Sequence, residues 1–408
     1  MDSKGNFGKA YSRDMAYAAS RYTEAKLAPI STQLFADIDS DTVDFADNYD
    51  NTTKEPTLLP VTYPSILVNS NMGIAVGMAS NICSFNLAEL WETTPELKKN
   101  PAHDIKATLL APEFTGGGYL LYCEKDLETI YETGRGGVKI RAKYAYQPDG
   151  NMIEITEIPP TTTVEDIMDK IAVLVKAGRV KEINDMRDET DLNGLKLTLD
   201  LKRGQDPDKL MTKLFRITPL EDNFSCNFNI LVGGMPRVMG VREILQEWTA
   251  FRTECVRRRV SYELEGKNKR LHLLRGLAAI LLDIDKAVKI VRETEQDAEV
   301  IPNLMIGFGI DQIQAEYVAE IRLRHLNREY ILKRTDEISG LEKEIADLQE
   351  VLKSPARVRR IIVDELNAVK KKYAKPRRTE ILYEVEDAEE EFEENALPDY
   401  PVTVFFTK

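Results

Sequence analysis

The chain of 408 residues is too long for one ordinary hydrophobic core, so we expect two or three domains. Apolar residues make up 43% of the sequence and charged residues 30%, which is typical of a soluble globular protein. No apolar run approaches the roughly 18 residues that a membrane span needs. The first five residues, Met1 to Gly5, contain no apolar secretion signal. These features favour a cytoplasmic protein over a membrane or secreted one.

The cysteine and histidine content argues against a disulfide framework or a structural zinc site. The four cysteines are far apart and form no CxxC pair: Cys83, Cys123, Cys226 and Cys255. The three histidines are equally scattered, so no zinc-ligand spacing appears. A reducing compartment is therefore expected.

The net charge of -13 argues against a nucleic-acid partner, but the charge is uneven. Eight acidic residues and no basic one fall between Glu384 and Glu394. Basic clusters occur elsewhere: Arg257-Arg258-Arg259, Arg357 with Arg359-Arg360, and Lys370-Lys371-Lys372 followed by Lys375, Arg377 and Arg378. Each cluster fits a solvated helix face better than a phosphate site. Composition alone does not identify DNA as the partner.

The first 86 residues predict turns, short helices and short strands. A turn at Gly5-Asn6-Phe7-Gly8 precedes a short helix through Tyr22, and a second helix is predicted from Pro29 to about Asp39, because proline suits a first helical turn. From Val43 to Asn86 the chain is rich in Pro, Asn, Gly and β-branched residues, the composition of loops and short strands.

Residues 87–235 mix strand and helix patterns. Apolar residues alternate from Val138 to Ala142 and from Met152 to Ile155, as in half-buried strands. Val164 to Val180 has helical spacing, and Thr162 or Thr163 is placed to cap that helix. The fold class predicted for the chain is α+β.

Two long helical stretches follow. One runs without proline from near Val241 to about Asp297, and after a predicted loop containing Pro302, Gly307 and Gly309 the helical pattern resumes. Apolar residues repeat at heptad spacing in both stretches: Leu264, Leu271, Leu274, Ala278, Leu281 and Val288, then Ile338, Leu341, Ile345, Leu348 and Leu352. This pattern predicts an antiparallel coiled coil with a small helical cap. Whether the cap pairs with another chain is left open by periodicity.

Arg21 and Tyr22 are the residue types that a nucleophilic attack on phosphorus needs. A phenol must lose its proton to attack, and an adjacent guanidinium stabilises both the phenolate and the charge that develops on phosphorus. As an isolated dipeptide this pattern is weak, since a tyrosine in such a place usually packs into a core.

A longer set of motifs gives these two residues a context. The set runs from Arg21 to Ile82 and comprises Arg21-Tyr22-Thr23-Glu24-Ala25-Lys26-Leu27, Thr42-Val43-Asp44-Phe45, Asp47-Asn48-Tyr49-Asp50, Pro60, Leu67-Val68-Asn69 and Gly73-Ile74-Ala75-Val76-Gly77-Met78-Ala79-Ser80-Asn81-Ile82. It resembles the A subunits of bacterial DNA gyrase and topoisomerase IV. The resemblance resumes at Thr133-Gly134-Arg135-Gly136 and continues along the long helices to Arg377-Arg378-Thr379-Glu380, so it covers nearly the whole chain.

The resemblance implies a role for three residues. Tyr22 matches the catalytic tyrosine, which forms a 5′-phosphotyrosine bond with one DNA strand, and Arg21 matches the arginine that assists it. Ile74 matches the isoleucine that wedges between base pairs and bends the DNA, a deformation that costs a few kcal/mol and is offset by wider contact. Without the resemblance, Ile74 would be interpreted as a buried strand residue.

The resemblance also implies domains and partners. Residues 1–64 would be the remainder of a winged-helix DNA-gate domain, 65–240 a tower domain, 241–380 the coiled coil with a dimerisation cap, and 381–408 an acidic linker with the first strand of a missing C-terminal domain. A homodimer would form through the cap, about Gln312 to Arg334, whose expected apolar face is Ile313, Tyr317, Ile321 and Leu323. DNA and the B subunit would complete an A2B2 assembly.

The resemblance places the Mg²⁺ and ATP sites on the B subunit. In this chain Gly134-Arg135-Gly136-Gly137 lacks the GxxxxGK[ST] pattern of an ATP loop, and a turn before a strand is favoured. The alternating aspartates Asp37, Asp39 and Asp41, and the pair Asp283 and Asp285, are interpreted as solvated positions rather than a metal site.

Several alternatives remain open. A non-catalytic coiled-coil scaffold would explain the acidic charge and the heptads equally well. Gyrase and topoisomerase IV are not distinguished, because the C-terminal DNA-wrapping domain that separates them is expected to be missing. An upstream winged-helix segment is also expected to be missing, so we expect the chain to be a fragment at both ends.

Overall fold

The computed structural model describes residues 2–100, 102–191, 194–322 and 328–383. The strands are β1 (Asp2–Lys4), β2 (Glu24–Lys26), β3 (Phe45–Asp47), β4 (Lys54–Pro56), β5 (Asn71–Ala75), β6 (Met78–Ile82), β7 (Ser84–Phe85), β8 (Pro112–Glu113), β9 (Tyr119–Leu121), β10 (Arg135–Arg141), β11 (Lys143–Gln147), β12 (Met152–Glu157), β13 (Ile183–Asp188), β14 (Leu197–Leu201), β15 (Glu221–Asn227), β16 (Asn229–Val232), β17 (Met235–Val238) and β18 (Glu380–Leu382). The helices are α1 (Ser65–Val68), α2 (Leu87–Lys99), α3 (Glu124–Thr133), α4 (Val164–Lys176), α5 (Pro207–Ile217), α6 (Val241–Leu281), α7 (Ile284–Glu293), α8 (Val300–Phe308), α9 (Gln312–Ala319), α10 (Arg328–Lys353) and α11 (Pro355–Tyr373). This mixture of helices and strands is consistent with the predicted α+β class.

A six-stranded sheet forms the first core. Its strand order is β18-β9-β10-β15-β6-β5, and every neighbouring pair is antiparallel except β18 with β9. Along β10 the side chains alternate, so that Val138 and Ile140 are buried while Lys139 is exposed. The buried side chains pack against α1, α2, α3 and the start of α6.

A four-stranded sheet, in the order β11-β12-β14-β13, carries α4 and α5 and has its own core between residues 142 and 220. The predicted strand at Met152 and the predicted helix at Val164 are confirmed, and Thr163 caps α4 by accepting a hydrogen bond from the backbone N–H of Asp166. The range 65–240, predicted as one domain, therefore contains two hydrophobic cores. We call residues 142–220 the four-stranded unit.

The long helices α6 and α10 pair in antiparallel fashion. Ion pairs along the seam join Lys267 to Glu344 at 2.6 Å and Arg270 to Glu337 at 2.8 Å, so residue numbers fall on one helix as they rise on the other. The predicted antiparallel pair is confirmed. No helix in the described ranges is both long and apolar enough to cross a bilayer.

The predicted boundaries of the cap are wrong in two places. The helix does not continue to Asp297: α6 ends at Leu281, and the Asp283 carboxylate accepts from the Lys286 N–H to begin α7. The expected loop around Pro302 is instead α8, because proline fits the first turn of a helix, and Gly309 (φ 66°) ends it.

The predicted helices near the N-terminus are wrong in type. Ser20–Tyr22 and Pro29–Gln33 are 3-10 helices of one turn or little more. The first is followed at once by β2, and the second is stopped before Asp37, where φ is 59°. The predictions of an acidic linker and a first strand within residues 384–408, and the prediction for Leu323, lie outside the described residues.

A buried arginine joins the N-terminal segment to the helices. Arg252 of α6 has 1% of its surface exposed, and its guanidinium donates to the Pro60 carbonyl at 3.1 Å and to Glu365 of α11 at 2.7 Å. The other Glu365 oxygen pairs with Arg259 at 2.7 Å, and Arg259 also pairs with Asp37 at 2.5 Å. Glu365 therefore bridges two guanidinium groups, and Asp37 supplies the second negative charge, where three segments of the chain meet.

We expect Glu365→Gln to lower the free energy of unfolding by about 2 kcal/mol, because Arg252 would keep a buried charge without its anion. The estimate is below the roughly 3–5 kcal/mol of a fully buried pair because the Glu365 side chain is 23% exposed. Urea unfolding measures the difference. Glu344→Gln, which removes the Lys267 pair, is the control and should cost about 0.5 kcal/mol or less. Equal losses in both variants would contradict the assigned role of Glu365.

Candidate functional site

Tyr22 lies on a short ribbon at the surface. Strands β1 and β2 pair antiparallel, with Ser3 opposite Ala25, and the 3-10 helix Ser20–Tyr22 leads directly into β2. The Tyr22 amide donates to the Ala19 carbonyl at 2.9 Å, which closes this turn. The Tyr22 side chain is 66% exposed. The phenol is therefore open to an incoming group.

Arg21 lies against the Tyr22 ring. The centre of its guanidinium is 4.8 Å from the ring centroid, within the range of a cation–π contact. The positive charge is thus held beside the phenol without covering the hydroxyl. Of the three site residues predicted from the sequence, the structure brings these two together.

Directly after β1, the backbone at Gly5 lies close to the backbone at Tyr22. Gly5 has a φ of 91°, and a Cβ at that position would collide with the Tyr22 carbonyl oxygen. Glycine is therefore needed at Gly5 both for its conformation and for the space beside Tyr22. The chain bends at Gly5, as predicted, but the assigned turn comes later, at Ala10 and Tyr11.

Residues 8–15 extend from the ribbon to the four-stranded unit, and we call them the excursion. The Tyr11 carbonyl accepts from the Val164 amide at 2.9 Å. One carboxylate oxygen of Glu165 accepts both the Ser12 hydroxyl, at 2.5 Å, and the Asp14 amide, at 3.0 Å. Arg13 pairs with Asp166 and with Asp169, each at 3.2 Å. These contacts fasten the excursion to the first turns of α4.

The contacts of Glu165 shift its titration. Burial raises the pKa of this carboxyl, but the Ser12 hydroxyl and the backbone amides of Arg13 and Asp14 donate to the charged form and outweigh burial, so the pKa is lowered to about 2. The sequence analysis missed Glu165. It is separated from Ser12 by 153 positions, and no local pattern could reveal that contact.

Ile74 lies on the hairpin of β5 and β6, a different element from the one that carries Tyr22. It is opposite Ala79 in the ladder, and the turn contains Gly77 with a φ of 80°. Ile74 is 87% exposed, and Met72 and Val76 beside it are also exposed. The interpretation of Ile74 as a buried strand residue is therefore wrong, because the end of this hairpin extends beyond the core.

A second hairpin, of β16 and β17, lies beside the first and was not anticipated. The Ala79 carbonyl of β6 accepts from Asn227 at 2.8 Å and from Asn229 at 3.4 Å, so the two hairpins are joined. Leu231 and Met235 on the second hairpin are also exposed. The sequence pattern did not reveal these two strands, because each is only four residues long.

The basic clusters pair largely within the chain. Arg258 bonds Asp41 at 2.9 Å and Asp44 at 2.8 Å, and Arg357 bonds Asp347 at 2.7 Å. Arg377 forms two bonds of 2.9 Å with Glu89. These arginines form ion pairs between segments of the chain, so their interpretation as solvated helix faces is wrong.

The glycine motif and the aspartates have structural roles. Gly134 ends α3 with a φ of 70°, and β10 begins at the next residue, so the interpretation as a turn before a strand is confirmed. Asp37 and Asp41 are ion-pair partners of Arg259 and Arg258, which corrects their interpretation as merely solvated. Within the described ranges, no group of three or more His, Cys, Asp or Glu side chains is placed to hold a metal ion.

A family model that describes the A subunits of DNA gyrase and topoisomerase IV matches residues 1–367. The chain belongs to this family. The DNA gyrase A subunit of Metamycoplasma arthritidis is 36% identical over 94% of this chain and 43% of its own length. The corresponding gyrase proteins of Clostridium acetobutylicum, 36% identical, and Synechocystis, 35% identical, are covered over 46% of their lengths. The chain thus spans less than half the length of these relatives.

We expect Glu165→Gln to destabilise the protein at neutral pH by roughly 1.5–3 kcal/mol, the usual contribution of hydrogen bonds to a charged group. The folded-state pKa of Glu165 is about 2, below its ordinary 4.5, so its contribution is complete above about pH 4.5 and is lost as the pH falls towards 2. Unfolding of both proteins between pH 7 and pH 2.5 measures the difference. A difference that does not change with pH would contradict this assignment.

Proposed function

We propose that this chain is the DNA-cleaving and resealing part of a type II topoisomerase, within its A subunit, with Tyr22 as the nucleophile. The observation that carries the proposal is the exposed Tyr22 phenol with the Arg21 guanidinium 4.8 Å from its ring, in a chain of the gyrase and topoisomerase IV family. A tyrosine kept for packing would be covered, and this one is not.

The proposed reaction exchanges one phosphodiester for another. The Tyr22 oxygen, after losing its proton, bonds to a backbone phosphorus, and the bond from phosphorus to the 3′-oxygen breaks. The DNA 5′ phosphate remains on Tyr22, and the leaving 3′-oxygen takes up a proton. Attack by that hydroxyl reverses each change and reseals the strand. Arg21 would stabilise the extra negative charge in the transition state. Because the phosphotyrosine bond retains the energy, resealing needs no ATP.

The exposed hairpin of Ile74 supports a wedge role. An apolar side chain inserted at a base step unstacks it and bends the duplex, at a cost of a few kcal/mol that wider contact offsets. Exposed apolar residues in such a cluster are otherwise unfavourable for a protein in water. Met72, Ile74 and Val76 would therefore gain from burial against DNA.

The remaining roles follow from the same family membership. Two copies would cut opposite strands, one with each Tyr22, and would meet through the cap. ATP and Mg²⁺ would be bound by a B subunit in an A2B2 assembly. Residues 1–64 would belong to the DNA gate, 65–240 to the tower and 241–380 to the coiled coil with its cap. ATP-driven passage of a second duplex would then change supercoiling or catenation.

Two alternatives are considered beside this proposal: topoisomerase IV in place of gyrase, and a scaffold without catalytic activity. The three relatives described above are gyrase proteins, whereas the family also includes topoisomerase IV, so the proposal is limited to the cleavage chemistry that both would share. A coiled-coil scaffold without chemistry would use the α6–α10 pair but would have no need for an open Tyr22. Covalent attachment to DNA separates a scaffold from an enzyme.

Tyr22→Phe in the full-length protein with its B partner should abolish DNA cleavage while DNA affinity changes by less than about twofold. The variant lacks only the attacking oxygen, and the phosphate contacts that dominate affinity remain. Covalent complexes trapped with denaturant measure cleavage, and filter binding measures affinity. Tyr17→Phe, which removes the hydroxyl of another exposed tyrosine, is the matched control. Cleavage near the wild-type rate in Tyr22→Phe would show that another residue attacks.

Ile74→Ala should reduce the DNA bend angle, with little effect on the salt dependence of binding, because the wedge contributes deformation and no charge. Fluorescence energy transfer between the ends of a short duplex measures the bend. Val173→Ala, an exposed β-branched residue on α4, is the control and should leave the bend unchanged. A wild-type bend in Ile74→Ala would remove the wedge from the proposal.

The cap should make this 408-residue chain a dimer at micromolar concentration. Ile306 and Ile313 are 84% and 63% exposed, which leaves an apolar surface on α8 and α9 for a second copy. Tyr317, expected on that face, instead accepts a hydrogen bond from Arg270 at 3.2 Å. Light scattering should show a dimer for the wild type and for Val173→Glu, and a monomer for Ile313→Glu. A monomeric wild type would contradict the cap assignment.

A further inference from the structure

Upstream of Tyr22, the chain is held by the contacts between the excursion and α4. We propose that Glu165 is a positioning residue for Tyr22, acting through the excursion that it fastens to the four-stranded unit. The inference rests on the proposed function. It adds a residue of α4, in the four-stranded unit, that does not itself contact Tyr22.

The excursion makes several contacts with α4 at once. A single oxygen of Glu165 accepts from a side chain and from the main chain of the excursion, and the Val164 amide adds a main-chain bond to Tyr11. Ser12 is buried by this arrangement, and Arg13 reaches over the outer side of α4 to two further carboxylates. Tyr11 packs against the core of the four-stranded unit. The excursion is therefore attached by apolar, neutral and charged contacts together.

The attachment is transmitted to Tyr22 through Asn6. The Asn6 side chain accepts from the Gly8 amide at 2.8 Å and donates to the Ala16 carbonyl at 3.0 Å, and its own carbonyl accepts from the Ala18 amide at 2.9 Å. These bonds close the base of the excursion, two residues before the 3-10 helix that ends at Tyr22. The Ser12 hydroxyl also accepts a hydrogen bond from the Met15 amide at 3.2 Å, next to Ala16, so a shift at Ser12 would reach the chain that enters that helix.

Local structure alone holds Tyr22 weakly. Every residue of β1 and β2 is exposed, and an isolated two-stranded ribbon is at best marginally stable in water. Attack on phosphorus, by contrast, depends on placement, and an error of about 1 Å can cost roughly 100-fold in rate. Attachment to packed parts of the chain supplies the precision that the ribbon lacks, and upstream of Tyr22 Glu165 provides that attachment.

The test uses the full-length protein with its B partner and measures covalent complex formation at saturating DNA, together with DNA affinity. Glu165→Ala should lower the cleavage rate by about 10-fold or more, with affinity for DNA unchanged, because only placement is lost. Glu96→Gln removes a surface carboxylate of α2 that pairs with Lys99 and is the matched control. It should cleave at the wild-type rate.

Exchanging the charges of Arg13 and Asp169 tests the contact of the excursion with α4 by a second route. Arg13→Glu should slow cleavage by repulsion from Asp166 and Asp169, and adding Asp169→Arg should restore part of the rate, since a new pair forms at the same place. DNA affinity and circular dichroism are measured in the same variants, because a variant that is merely unfolded would lose both. Wild-type rates in Glu165→Ala and Arg13→Glu, with cleavage still dependent on Tyr22, would overturn this inference alone. Cleavage that does not depend on Tyr22 would overturn the proposed function as well.

Discussion

The placement of the N-terminal segment depends on one carboxylate at the junction of three parts of the chain. Glu365 of α11 pairs with Arg252 and Arg259 of α6, and these arginines in turn hold the Pro60 carbonyl and Asp37. Charges in such a place are tolerated only when they are paired, because removing them from water is costly. The segment after Tyr22 is thereby tied to α6, whose far end leads into α7, α8 and α9.

The segments before and after Tyr22 are each fixed to a helix, whereas the Tyr22 ring between them is exposed. Downstream, the ion pairs with Asp37 and Asp41 hold the following segment on α6. Upstream, Glu165 and Arg13 hold the excursion on α4. The ring itself contacts Arg21 and is largely open to solvent. This arrangement suits the role proposed for Tyr22, because the neighbouring contacts supply rigidity and leave the ring exposed.

The sequence predicted the parts of the fold that local periodicity determines. The helix at Val164, its Thr163 cap and the antiparallel pair of α6 and α10 follow from spacing and capping, and each was found. The break at Asp283 and the helix around Pro302 were not predicted, since both depend on caps that compete with the surrounding pattern. The exposure of Ile74 could not be derived from alternation, because the hairpin extends beyond its core. The contact of Glu165 with Ser12 depends on tertiary packing over a long chain distance. Only the family resemblance indicated Tyr22.

Locating the covalent bond between protein and DNA identifies the attacking residue directly. Covalent complexes of the full-length protein with its B partner would be trapped, digested with protease and nuclease, and analysed by tandem mass spectrometry. We expect a single modified peptide that contains Arg21-Tyr22-Thr23 and carries the 5′ phosphate of the DNA on the Tyr22 oxygen. A DNA phosphate on any other residue, or DNA cleaved without any peptide attached, would contradict it.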